Sequence, residues 1–175
     1  PGVNPFPSSF WGHIFALLAR MLVWLRYRVR FQGFGEIGRR GKSKILFLPN
    51  HPAMIDPIIL LSRLYPVFRP RSLADEWQMD RFLISFAGRC TGVRRLPNLE
   101  RRGLEGIDET RRILRTTIEG LQQGENLLLY PSGHLKHQRE EVIGAASAVK
   151  TILSEVPDVR IVMIRQNGLW GSQFS

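Results

Sequence analysis

The chain has 175 residues, enough for one domain with an ordinary core. Hydrophobic residues at 43% and charged residues at 23% exclude a disordered chain. A single cysteine, Cys90, excludes an internal disulfide and suits a reducing compartment. The formal charge is +10, and most of the excess lies in residues 1–50, where Arg20, Arg26, Arg28, Arg30, Arg39, Arg40, Lys42 and Lys44 face Glu36 alone. Such a basic region points to a polyanion, whether nucleic acid, an anionic membrane or a phosphorylated substrate.

No Cys/His spacing suggests zinc, and there is no repeat or low-complexity tract. The chain opens on proline, so a mature form or a fragment is expected. No stretch looks like a signal peptide.

Residues 1–27 are expected to form a separate element. In "SSFWGHIFALLARMLVWLRYRVRF", Ser8 or Ser9 can cap a helix. The apolar run Ile14–Leu25 is interrupted by Arg20 and is too short for the roughly 20 apolar residues of a membrane span. Trp11 and Trp24 flank it, and Arg26, Arg28 and Arg30 follow. Tryptophan favours the headgroup level and arginine favours anionic lipid, so the pattern reads as an amphipathic helix lying on a membrane. The competing reading is a helix packed on the domain's own core.

Residues 28–175 then alternate. "YRVRFQGF" reads as a strand, "KILFLPN" as a clearer one after the basic turn "GRRGKSK", and "PIILLSRLY" as a helix. "RSLADE" reads as a strand, "QMDRFLISFAG" as a helix ended by Gly88, and "TGVRRL" as a short strand. "GLEGIDETRRILRTTIEGLQQG" has Ile107, Leu114, Ile118 and Leu121 at helical spacing and a stop at Gly124. "NLLLYP", "EVIGAASAVKTILSEV" and "DVRIVMIRQ" read as strand, helix and strand. The alternation predicts an α/β domain with a largely parallel sheet flanked by helices. Sites in such sheets form past the carboxyl ends of strands, where Asn50–Asp56 and Pro131–His137 both fall.

In "LFLPNHPAMIDPIILL", Asp56-Pro57 is a good helix start by itself, with Asp as N-cap and Pro at the first helical position. His51 alone would be an ordinary turn residue. Together their spacing lets the carboxylate reach one imidazole nitrogen and leaves the other to take a proton, as a general base requires.

"NHPAMID" resembles the Asn-His-x4-Asp motif of the glycerophospholipid/lysophospholipid acyltransferase family, of the bacterial 1-acylglycerol-3-phosphate acyltransferase type. The resemblance runs from the N-terminal helix to Gln166. It implies an acyltransferase that moves a fatty acyl group from acyl-CoA or acyl carrier protein to the hydroxyl of a lysophospholipid or related lipid. His51 would be the general base and Asp56 its orienting partner, with Asn50 beside them in the substrate site. The family's phosphate-gripping arginine falls in "GRCTGVRRLPN", at Arg94 by spacing or at Arg95. A fork-shaped guanidinium suits phosphate, and alternation would turn one of the two to water.

The family's Pro-Glu-Gly-Thr-Arg block corresponds to "LLLYPSGHLKHQ", which retains Pro131 and Gly133 but has Ser132, His134 and Leu135 in place of Glu, Thr and Arg. Lys136 or Arg139 would supply the lost positive charge, and Ser132 a hydrogen bond. His134 and His137 read as polar loop residues. Backbone N–H groups near the Pro52–Asp56 turn, or after Gly133, would stabilise the oxyanion. "VRIVMIRQNGLWGS" fits the last block without its proline, and a continuation or further domains are expected beyond Ser175. The resemblance also implies the cytoplasmic face of a membrane, with peripheral or monotopic attachment and no cofactor besides the thioester. Two other readings are a non-catalytic lipid-binding or scaffold module of the same fold, and a basic nucleic-acid binder. The latter lacks a helix-turn-helix or an aromatic-basic sheet signature.

Overall fold

The computed structural model describes residues 8–75, 82–97, 99–132 and 146–169. In chain order the elements are α1 (Ser8–Arg26), α2 (Phe34–Arg39), β1 (Ile45–Pro49), α3 (Asp56–Phe68), β2 (Arg71–Asp75), α4 (Phe82–Thr91), β3 (Arg94–Leu96), α5 (Leu99–Gln122), β4 (Leu127–Leu128), α6 (Ala146–Glu155) and β5 (Arg160–Ile164). The five strands form one sheet in the order β3-β2-β4-β1-β5, and every pairing is parallel. The chain is therefore an α/β fold with helices on both faces.

Period-two alternation sorts the core. Ile45, Phe47 and Leu128 point to one face, where Phe15 and Ala19 of α1, Leu60, Leu61, Leu64 and Phe68 of α3 and Cys90 of α4 cover them. Leu46, Leu127 and Leu73 point to the other, against Ile118 and Leu121 of α5 and Ile152 of α6. Both faces of β1 are thus dry, which is why it reads as an unbroken apolar run.

The chain leaves β1 for α3 on the first face and leaves neighbouring β4 for α6 on the second. Adjacent strands whose connections diverge open a crevice at their carboxyl ends. Asparagines tie the strands at both ends. At the amino end, Asn126 Nδ2 donates to the carbonyls of Lys42 (2.7 Å) and Phe68 (2.5 Å), and its Oδ1 accepts from Ile45 N–H at 2.9 Å.

Two sequence expectations need correction. Residues 27–32 do not join the sheet, and Phe34–Arg39 is helical. The alternation is real, since Arg28 and Arg30 are exposed while Val29 and Phe31 pack on the apolar clusters, but it records one-sided burial without a strand partner. The helix expected to stop at Gly88 runs on to Thr91. Gly92, at φ 71°, ends it, with Val93 N–H donating to Gly88 O at 3.0 Å. This is a Schellman closure, and Gly124 (φ 94°) ends α5 the same way through Glu125 N–H to Gly120 O at 2.8 Å.

The N-terminal helix is present and packs on α3 and α4. Its inner face is Gly12, Phe15, Ala16, Ala19 and Val23, at helical spacing. Gly12 has no side chain because the ring of buried Tyr65 occupies the place of its Cβ. No helix among the described residues is long and apolar enough to cross a membrane. Gly12→Ala should lower the free energy of unfolding by about 1–3 kcal/mol in denaturant titration, because the added Cβ would force the buried Tyr65 ring to shift. An unchanged midpoint would count against the close α1–α3 approach.

Candidate functional site

β1 ends at Pro49, whose ring gives no N–H, and the backbone turns away from the sheet after Asn50 N–H has bonded Ile164 O at 3.2 Å. The turn is compact and places His51 and Asp56 in contact. His51 Nδ1 lies 2.9 Å from Asp56 Oδ2, with His51 5% exposed and Asp56 fully buried. Ala53 N–H also donates to Oδ2, at 3.2 Å. Asp56 opens α3, but it is not the N-cap expected from Asp-Pro. Ile55 holds that position without a side-chain bond, and the carboxylate is directed into the turn.

The residue that sequence reasoning missed is Tyr130. Its hydroxyl donates to Asp56 Oδ1 at 2.8 Å, and its ring lies against the His51 imidazole with centroids 4.3 Å apart. Tyr130 comes from the end of β4, next to β1 in the sheet. Burial and the Asp56 charge raise the Tyr130 hydroxyl well above its usual pKa, so it stays protonated and remains a donor. Burial also raises the Asp56 carboxyl, against the opposing pull of His51, Tyr130 and the Ala53 N–H. The group is a desolvated carboxyl with three polar partners, and perturbed carboxyls of this kind concentrate at functional sites.

Asn50 is half-buried, and its polar atoms meet Gln166. Its Oδ1 accepts from Gln166 N–H at 2.6 Å, its Nδ2 donates to Gln166 O at 3.0 Å, and its carbonyl accepts from Gln166 Nε2 at 2.9 Å. It fastens the end of β1 to the chain after β5 and so holds the His51 turn in place.

The two arginines divide as alternation requires. Arg94 faces α5, donating to Thr117 Oγ1 at 3.3 Å and to Glu125 Oε2 at 2.9 Å. Glu125 also meets Arg71 at 3.6 Å. Arg95 is exposed, pairs with Ala74 in register and lies on the α3 face of the sheet. Pro131 is half-buried and Ser132 buried just past β4, beside the His51 turn through the β1–β4 pairing. Gly133, His134, Lys136, His137 and Arg139 lie outside the described residues. Of the turn's backbone donors, Ala53 N–H serves Asp56 and Asp56 N–H serves Ala53 O at 3.2 Å, so neither is available to an oxyanion.

No protein-family profile matches the chain, and no curated protein matches it. Among solved structures, the chain is similar in path to the 1-acyl-sn-glycerophosphate (LPA) acyltransferase PlsC from Thermotoga maritima, with 13% identity and a TM-score of 0.44 over 89% of this chain and 71% of that one.

The raised Asp56 carboxyl has a definite sign in stability. A group that holds its proton more tightly folded than unfolded makes stability fall as pH rises from the unfolded value, 3.8, through the higher folded one. In Asp56→Asn, the amide oxygen can accept from His51 and Ala53, and its NH2 can donate to a reoriented Tyr130 hydroxyl. The variant should be as stable as the parent or more so at neutral pH, with the difference shrinking as the buffer is made acidic. A parent that gained stability relative to Asp56→Asn as pH rose from 4 to 7 would contradict this sign.

Proposed function

We propose that the chain transfers a fatty acyl group from a thioester, acyl-CoA or acyl carrier protein, to the hydroxyl of a lysophospholipid or related lipid acceptor. The observation that carries this reading is the His51–Asp56 contact, 2.9 Å long and out of water, with Tyr130 on the second carboxylate oxygen. A carboxylate in a merely structural turn would be expected near solvent or on its own helix N-terminus, since burying it is costly. Here it is buried where it can fix an imidazole.

In the proposed reaction, Asp56 holds Nδ1–H and Nε2 takes the proton as the acceptor hydroxyl attacks the thioester carbonyl. Asp56 then stabilises the imidazolium. The tetrahedral intermediate collapses with loss of the thiolate, which receives the proton, and the new ester leaves. Thiolate is a good leaving group, so this route needs no metal. The acceptor's phosphate is assigned to Arg95, because Arg94 is already engaged by Glu125 and Thr117. The outer face of α1 and Arg26, Arg28 and Arg30, all exposed, bring the protein to the surface of a membrane, with peripheral or monotopic attachment at its cytoplasmic face.

Thioester consumption with a panel of lysolipids tests the reading. His51→Ala should reduce transfer by about 100-fold or more with the fold intact. Tyr130→Phe, which retains the ring and loses one donor, should reduce it about 2- to 10-fold. Near-parental turnover in His51→Ala would end the base assignment, and a parent inactive on every acceptor would favour a binding module. Arg95→Gln should raise the KM for a phosphorylated acceptor with little change in stability, whereas Arg94→Gln should mainly lower the melting temperature. The reverse pattern would exchange the two roles.

A further inference from the structure

α1 has a second side. Opposite its buried face, Leu18, Met21, Leu22, Trp24 and Leu25 are between 48% and 76% exposed. Between this side, residues 27–31 and α3 runs a groove of about 590 Å³. That size falls within the roughly 300–1,000 Å³ of small-ligand sites. Its wall is largely apolar, formed by Met21, Trp24, Phe31 and Ile59 among others, yet it also holds Arg20 and Arg63. The Arg63 guanidinium lies over the Phe31 ring at 5.4 Å, which fixes its position.

Among the described residues these two cations have no counter-charge. Residues 8–33 contain no Asp or Glu, and the one acid of α3 is Asp56, already bonded to His51 and Tyr130. Among the described residues no carboxylate pairs with Arg20 or Arg63. Burial and the nearby Arg20 charge both work against the charged form of Arg63. Two like charges on an apolar wall are relieved by an anion from outside, and guanidinium forks suit phosphate oxygens.

We propose that this groove holds one anionic phospholipid taken from the bilayer surface, its phosphate bridging Arg20 and Arg63 and one acyl chain lying along Met21, Trp24 and Phe31. A lipid fits better than an acidic peptide or nucleic acid, because the cations stand within apolar wall and the groove borders the exposed apolar side of α1. Arg63 is seven residues beyond Asp56 on α3, about 10 Å of helix rise, so the bound phosphate stands apart from the reacting imidazole. The lipid is a resident partner and not the acceptor. The proposal rests on α1 lying at a membrane, as in the reading above, and is independent of acyl transfer.

The test compares Arg20→Gln/Arg63→Gln with Arg28→Gln/Arg30→Gln, which removes the same charge from nearby exposed positions. Binding is measured to phosphatidylcholine vesicles and to equimolar phosphatidylcholine–phosphatidylglycerol vesicles at low and high salt. The groove pair should lose about tenfold or more in affinity for the anionic vesicles. The control pair should lose less, and its loss should vanish at high salt. Dihexanoyl phosphatidylglycerol below its micelle threshold should bind the parent at one site and shift the fluorescence that Trp24→Phe removes, while inorganic phosphate should not. Met21→Glu, which supplies a counter-charge inside the groove, should also weaken lipid binding and serves if the double arginine variant folds poorly. Equal losses in the two pairs, no binding of the monomeric lipid, or an equal response to inorganic phosphate would overturn the proposal. Transfer between soluble short-chain substrates is assayed in parallel. Its absence with lipid binding intact would end the catalytic reading alone, and its persistence with flat lipid titrations would end this one alone.

Discussion

A carboxylate removed from water must be surrounded by donors, and Asp56 obtains them from three places in the chain. Its own turn supplies the Ala53 N–H, the end of β1 supplies His51, and the end of β4 supplies Tyr130. Each donor is only as well placed as the strand that delivers it. The register of β1 against β4, Leu46 opposite Leu127 and Phe47 opposite Leu128, is therefore also the geometry of the site. A slip of one residue would turn Tyr130 to the other face and leave a buried charge without one of its partners.

The two asparagines show how the sheet protects that register. Asn126 gathers the amino ends, and Asn50 with Gln166 gathers the carboxyl ends. Both use side-chain amides to satisfy backbone groups where the ladder stops, and unpaired backbone polar groups in such places are costly. Position 50 matters to the site through this clamp: it holds still the turn in which the imidazole sits.

What was legible in the sequence follows from range. His51 and Asp56 are five residues apart, so their meeting is a matter of local turn geometry and could be read directly. The alternating dry strands and spaced helical faces gave the α/β class for the same reason. Tyr130 was not legible as a site residue, because a tyrosine after an apolar strand reads as core. Its signal lay in the sheet order, since neighbouring strands put their following residues side by side. Arg94 and Arg95 could be seen to part, but which one turned inward depended on Thr117 and Glu125. Residues 27–32 misled because one-sided burial has the same period as a half-buried strand. Ile107 lies on the periodic face of α5 and is nonetheless 38% exposed, while Ile118 and Leu121 are buried.

The sheet order also sets a timetable for assembly. Of the five described strands β1 is the first made, yet its neighbours are β4 and β5, the last two. The bond from Tyr130 to Asp56 spans 74 residues, and those between Asn50 and Gln166 span 116. Such long closures lose chain entropy before any contact repays it, so they form late. During synthesis, His51 and Asp56 leave the ribosome long before the residues that hold them. The His51 turn is made long before it is set; until β4 arrives β1 is a dry strand with neither of its neighbours, and until β5 arrives it has only one.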